Sequence, residues 1–177
     1  RVGTRELAAA NPDALTGAKA ELAQGGNCGE HAMVAFDWLR VYAVGQTINR
    51  ADKEGLDHAF VLVGDIDKDK DDELAVSDPW PTKAGACLWE DHFAHTPDRK
   101  ELNVRHSMTA DGKNVRRVIK AGLKLSERGK KMIQMALSKE RTEEEITKGS
   151  EGDKPWIWDH EDAHDGINDF NYQAADN

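Results

Sequence analysis

Three residues of the chain have the chemical types that catalysis by a thiol requires: Cys28, His58 and Asp78. A thiol attacks well only as the thiolate, and a free cysteine titrates near about 8.5. A helix N-terminus and a neighbouring imidazolium both favour the anion. A carboxylate that accepts a hydrogen bond from the imidazole keeps that base in one orientation. The three residues therefore predict a Cys-His-Asp triad, provided that the fold brings them together.

A helix is predicted over 28–41, directly after Gly25-Gly26, with Asn27 in the N-cap position. The first turn of such a helix would offer backbone N–H groups to the oxyanion of a tetrahedral intermediate. Apolar residues recur in this segment at steps of three and four, which predicts one buried helix face: Ala32, Ala35, Phe36 and Leu39.

Two strands should position the other two residues. His58 opens an apolar run over 58–63, and Asp78 follows a second run over 73–77, with a charged loop over 64–72 between them. In an antiparallel hairpin, the start of the first strand and the end of the second lie at the same end. We therefore expect His58 to contact Asp78. Other predicted elements are helices over 4–10, 12–24, 115–125 and 129–139 and an irregular segment over 82–112.

Three segments carry a resemblance to a known family: 27–32 (NCGEHA), 57–61 (DHAFV) and 76–80 (VSDPW). Their order resembles the transglutaminase-like branch of the papain-fold cysteine enzymes, over about residues 24–81. The resemblance implies an α+β fold: a papain-like or transglutaminase-like core in which the cysteine-bearing helix packs on a small antiparallel sheet, with extra C-terminal helices. It makes Cys28 the nucleophile, His58 the general base and acid, and Asp78 the orienting carboxylate.

The activity implied by this resemblance is cysteine-dependent amide hydrolysis of a protein substrate through a thioester, either as glutamine deamidation or as proteolysis. Transglutaminase-type acyl transfer is the alternative outcome of the same thioester. Gln24, Asn27 and Trp80 are the candidates for oxyanion or substrate binding, and no metal or cofactor is expected. Relatives of this type include bacterial toxins and secreted effectors, so the resemblance also implies secretion or delivery into a target-cell cytoplasm, with a cognate inhibitor or immunity protein as a partner.

The bulk composition limits the partners. The chain has 177 residues, 38% hydrophobic and 32% charged, with a net charge of −9, which argues against nucleic acid or an anionic membrane surface as the main partner. Its apolar runs are too short to span a bilayer, so we expect a soluble protein without membrane insertion. We expect one catalytic domain over 1–148 and an acidic C-terminal segment over 149–177 that packs on the core. The first residue is Arg1, which indicates a processed product or an excised domain.

Two further function classes stay open. The run 160–164 (HEDAH) matches the zincin pattern, with His160 and His164 as zinc ligands and Glu161 as the base, although acidic residues surround it. A non-catalytic effector or binding module with a degenerate triad is the other alternative. The alternating aspartates over 65–71 lack the glycine and glutamate of a calcium loop and are interpreted as a solvated hairpin loop. His92 and His95 are interpreted as packing residues.

Overall fold

The computed structural model describes residues 4–23, 25–80 and 85–125, residues 127, 130, 131 and 134, and the strand at 170–172. The chain is an α+β protein with antiparallel sheets and helices. It divides into two compact units, of which one is Cys28–Arg116 and the other combines Arg1–Asn27 with Arg117–Asn177. The boundary expected at residue 148 lies outside the described residues and stays a prediction.

The described part of the chain contains α-helices, strands and two 3-10 helices, the latter at Trp89–Asp91 and Arg99–Glu101. The helices are α1 Thr4–Ala10, α2 Pro12–Ala23, α3 Cys28–Tyr42 and α4 Val115–Gly122. The strands are β1 Thr47–Lys53, β2 Leu56–Val63, β3 Ala75–Asp78, β4 Gly85–Leu88, β5 Leu102–Thr109, β6 Leu123–Leu125 and β7 Phe170–Tyr172.

The unit Cys28–Arg116 is built on a five-stranded antiparallel sheet in the order β4-β3-β2-β1-β5. The central strand β2 is apolar on both faces, because both are covered. On one face, Val61 and Ile48 meet Ala32 and Phe36 of α3 in one buried cluster. This is the helix face that the three- and four-residue spacing predicts.

The opposite face of the sheet is covered by the segment that follows β4. Trp89 is fully buried there against Phe60, Leu62 and Leu74, and Ala94 joins the same cluster. The ring of Trp89 stacks on that of Phe60 at a centroid distance of 5.6 Å. Both faces of β2 are therefore held by packing, which fixes the strand that carries His58.

The expectation of an irregular segment over 82–112 is wrong, since β4 and β5 lie within it. Strand β1 was not predicted at all. Its sequence TINRADK is polar, yet Asn49 is only 3% exposed. The Asn49 side chain donates to the carbonyl of Gly64 at 2.9 Å and accepts from the Ser107 hydroxyl at 2.7 Å. Because these hydrogen bonds satisfy the buried amide, a polar residue is tolerated inside the sheet.

In the other unit, α1 packs against α2, and β6 pairs antiparallel with β7. The helix predicted over 115–125 ends at Gly122, and the strand β6 follows it directly. The acidic C-terminal segment over 149–177 contributes the strand β7. The rest of that segment and most of the predicted helix 129–139 lie outside the described residues. Within the described residues, no helix combines the length and the apolar character that a membrane crossing needs.

Candidate active site

The hairpin of β2 and β3 brings His58 and Asp78 to the same end of the sheet. Val61 pairs with Ser77 across the two strands. Continuing this antiparallel register places Asp78 opposite Phe60, one diagonal step from His58, and diagonal neighbours lie within reach of long side chains. The charged loop after β2 lies at the far end of the hairpin, as the sequence predicts.

A bulge also shapes the position of His58. The pairing of β1 with β2 shifts between Asp52, which pairs with Ala59, and Lys53, which pairs with Leu56. Two residues of β2, Asp57 and His58, lie inside this shift. Bulges bend a strand locally and change the direction in which a side chain points, and they are common beside functional sites.

The side chains of His58 and Asp78 form a short, buried contact. His58 Nε2 lies 2.7 Å from Asp78 Oδ2, and the two side chains are 10% and 5% exposed. The Cys28 side chain also interacts with this imidazole and contributes to its raised pKa. Cys28 is the first residue of α3 and is partly exposed.

The electrostatics of this pair favour its charged form. Burial by itself lowers the pKa of His58, but the hydrogen bond with Asp78, the charge of Asp78 and the interaction with Cys28 outweigh it and raise the pKa to about 9. Burial likewise opposes ionisation of Asp78. The hydrogen bonds from His58 and His92 and the charge of His58 nevertheless hold the pKa of that carboxyl well below its usual range. At neutral pH the pair is therefore an imidazolium and a carboxylate.

A further histidine joins the cluster. His92 is only 7% exposed, and its Nε2 lies 3.1 Å from the same Oδ2 of Asp78. The other carboxylate oxygen, Oδ1, accepts the backbone N–H of Trp80 at 3.1 Å. The interpretation of His92 as a packing residue is thus incomplete, although its ring does contact Trp89 and Phe93. No sequence signal separates His92 from His95, which instead contacts Asp71.

Aromatic side chains flank the His58 imidazole. Trp80 meets it edge-on at a centroid distance of 5.8 Å, and Phe93 lies at 5.2 Å. Phe93 is 61% exposed, so an apolar surface lies beside the imidazole. Of the other candidates for oxyanion or substrate binding, Asn27 is an exposed residue directly before α3, and Gln24 lies outside the described residues. The roles of Gln24, Asn27 and Trp80 stay predictions.

Among the described residues, no group of three or more His, Cys, Asp or Glu side chains could hold a metal ion. The zincin-like run 160–164 lies outside the described residues. In the loop over 65–71, Asp65 pairs with Lys68, and Asp71 accepts from His95 and Arg99, so these carboxylates have protein partners.

Comparisons of the chain with models of protein families, with curated proteins and with solved structures found no match.

Proposed function

We propose that the protein is a cysteine hydrolase with a papain-like or transglutaminase-like core that attacks carboxamide or peptide carbonyls of a protein substrate. Cys28 is the nucleophile, His58 the acid and base, and Asp78 the orienting carboxylate. One observation carries the proposal: a single buried imidazole contacts a carboxylate through Nε2 at 2.7 Å and also interacts with the side chain of Cys28, the first residue of a helix. A nucleophile, a base and a residue that orients the base are the parts that nucleophilic catalysis needs.

In the proposed reaction, the thiolate of Cys28 forms a bond to the carbonyl carbon, and the electron pair of the C=O bond moves to the oxygen. When this intermediate collapses, the C–N bond breaks and the nitrogen leaves with the proton of the His58 imidazolium. The products of this half are a thioester, a neutral His58 and free ammonia or an amine.

Water completes the hydrolysis. Neutral His58 takes a proton from a water molecule while the oxygen of that water attacks the thioester carbonyl. The C–S bond then breaks. The carboxylic acid leaves, and the pair of thiolate and imidazolium is restored. In both halves the negative oxygen forms near the start of α3, where the first N–H groups of an α-helix have no intrahelical acceptor and the helix dipole favours an anion.

The charge state of Cys28 can be tested without a substrate, because Cys87 is an internal reference. Burial, together with the charges of Asp91 and Asp78, raises the pKa of the Cys87 thiol. At pH 7 we expect iodoacetamide to modify Cys28 faster than it modifies Cys87 or free N-acetylcysteine, and the His58→Ala variant to lose this advantage. Peptide mapping by mass spectrometry measures both sites in one sample. If Cys28 in the wild type reacts no faster than N-acetylcysteine, the proposal is wrong.

The reaction type is read from the products. Incubation of denatured casein and glutamine-containing peptides with the protein should yield either a mass gain of about one unit per site, which marks deamidation, or fragments, which mark proteolysis. Addition of a primary amine tests the alternative outcome, since acyl transfer would add the mass of that amine. Cys28→Ala is the inactive control, and Cys87→Ser should retain the wild-type products.

A further inference from the structure

The imidazole of His92, the second one that contacts Asp78, has a defined tautomer. His92 Nδ1 accepts the backbone N–H of Ala94 at 3.3 Å, so this nitrogen carries no proton. The proton of the neutral ring is therefore on Nε2, which lies 3.1 Å from Asp78 Oδ2 and donates to it. One carboxylate oxygen thus accepts from both His58 and His92.

The orientation of His92 is fixed from all sides. Its ring lies 5.0 Å from that of Phe60 and 4.5 Å from that of Phe93. Its backbone N–H donates to the Trp89 carbonyl at 3.2 Å, and its carbonyl accepts from the N–H of His95 at 2.8 Å. The donated hydrogen bond to Asp78 is therefore built into the fold and does not require His92 to change its side-chain conformation.

We propose that His92 is a positioning residue of the candidate active site, which keeps the Asp78 carboxylate in place through the Nε2–H···Oδ2 hydrogen bond while His58 gains and loses its proton. This inference rests on the proposed function. In the reaction above, His58 alternates between imidazolium and neutral imidazole, and the charge that holds Asp78 disappears in the second state. The His92 donor is neutral throughout, so its hydrogen bond remains when the charge pair is lost. His92 touches neither the thiol nor the substrate carbonyl in this scheme.

Two substitutions separate the two hydrogen bonds of His92. In His92→Gln, the side-chain amide nitrogen can occupy the place of imidazole Nε2 and donate to Asp78. In His92→Asn, the shorter amide reaches only the place of Nδ1, so the Ala94 N–H keeps an acceptor and Asp78 loses a donor. We expect iodoacetamide modification of Cys28 at pH 7 to slow by about tenfold to a hundredfold in His92→Asn, as for loss of one hydrogen bond to a charged group, and to stay near the wild-type rate in His92→Gln.

A spectroscopic measurement tests the hydrogen bond itself. With ¹⁵N-labelled histidine, NMR of the wild type should show His92 with an unprotonated Nδ1 and a protonated, downfield Nε2–H, and this signal should move upfield in Asp78→Asn, where a neutral amide replaces the carboxylate. A protonated Nδ1 on His92 would overturn the proposal. If His92→Asn does not fold, His92→Phe also removes the donor, keeps a ring against Phe60 and Phe93, and is compared with His92→Gln in its place.

The outcomes distinguish this inference from the proposed function. Fast modification of Cys28 in the wild type, slow modification in His92→Asn and recovery in His92→Gln support the positioning role. Fast modification in the wild type with the same rate in His92→Asn overturns the role of His92 and leaves the proposed function standing. A wild-type Cys28 no faster than N-acetylcysteine overturns the proposed function and this inference with it.

Discussion

Replacement of Asp78 by Asn gives the most direct prediction from the site, because it removes the charge and keeps the shape of the side chain. The pKa of His58 is raised from 6.5 to about 9, a difference of about 2.5 pH units. At about 1.4 kcal/mol per unit, this difference corresponds to about 3 kcal/mol of interaction that favours the imidazolium. In the variant, burial still lowers the pKa of His58, and of the two side chains that raise this pKa only Cys28 remains. We therefore expect the pKa of His58 in Asp78→Asn to fall by about 2 units or more.

The sign of the pH effect on stability follows from these two groups. Because folding raises the pKa of His58, the charged imidazole adds to the free energy of unfolding. This stabilisation is fully present below about pH 6.5 and is lost as the pH rises through about 9. Because folding lowers the pKa of Asp78, its carboxylate also adds to the free energy of unfolding. This stabilisation is present above about pH 3.8 and is lost as the pH falls further. The stability difference between the wild type and Asp78→Asn should therefore be largest between about pH 4 and pH 6.5. It should shrink by up to about 3 kcal/mol toward pH 10.

NMR titration of the His58 ring protons and urea denaturation from pH 4 to pH 10 measure the two effects. Asp111→Asn is the matched control, since Asp111 forms a bidentate ion pair with Arg40 and contacts no histidine in the described structure. It should lower stability without changing the titration of His58. If His58 in Asp78→Asn titrates within half a unit of the wild type, the attribution of its raised pKa to Asp78 is refuted.

Two further predictions concern the hairpin and its loop. Gly64 has φ +125°, and a Cβ there would lie 2.5 Å from Cδ2 of the buried Leu74, so Gly64→Ala should cost about 2–5 kcal/mol in urea denaturation. Gly55→Ala, at φ +75° with no atom within 4 Å of the added Cβ, should cost only about 1–2 kcal/mol, and equal losses would contradict the packing argument. Arg99 donates to a carbonyl and a carboxylate of the charged loop after β2, so Arg99→Ala should cost about 2 kcal/mol. Arg105→Ala, which removes an exposed ion pair, should cost less than about 1 kcal/mol. A larger stability loss in Arg105→Ala than in Arg99→Ala would contradict the role of Arg99 in holding the loop.

The parts of the fold that the sequence predicts are those with a strong apolar pattern. Helix α3 carries its buried face at regular steps, and β2 ends in an apolar run over 59–63, where both faces of the strand are covered. Their neighbours β1 and β5 lack such patterns. Strand β1 contains a buried asparagine whose partners come from elsewhere in the sheet, and β5 is exposed along most of its length as an edge strand. Polar strands of this kind are specified by their pairing partners, which a local pattern does not contain.

The residues of the candidate site also include some that a local sequence pattern predicts and one, His92, that it does not. Cys28, His58 and Asp78 stand at the ends of predicted elements, so a hairpin argument is enough to bring the last two together. His92 follows a short 3-10 helix in a segment that was expected to be irregular, and its distance from Asp78 depends on how Trp89 packs on β2. That packing covers the sheet face and also brings the second imidazole to the carboxylate. A substitution that loosens Trp89 should therefore lower the reactivity of Cys28 although the two residues share no hydrogen bond, because the effect passes through His92 and Asp78.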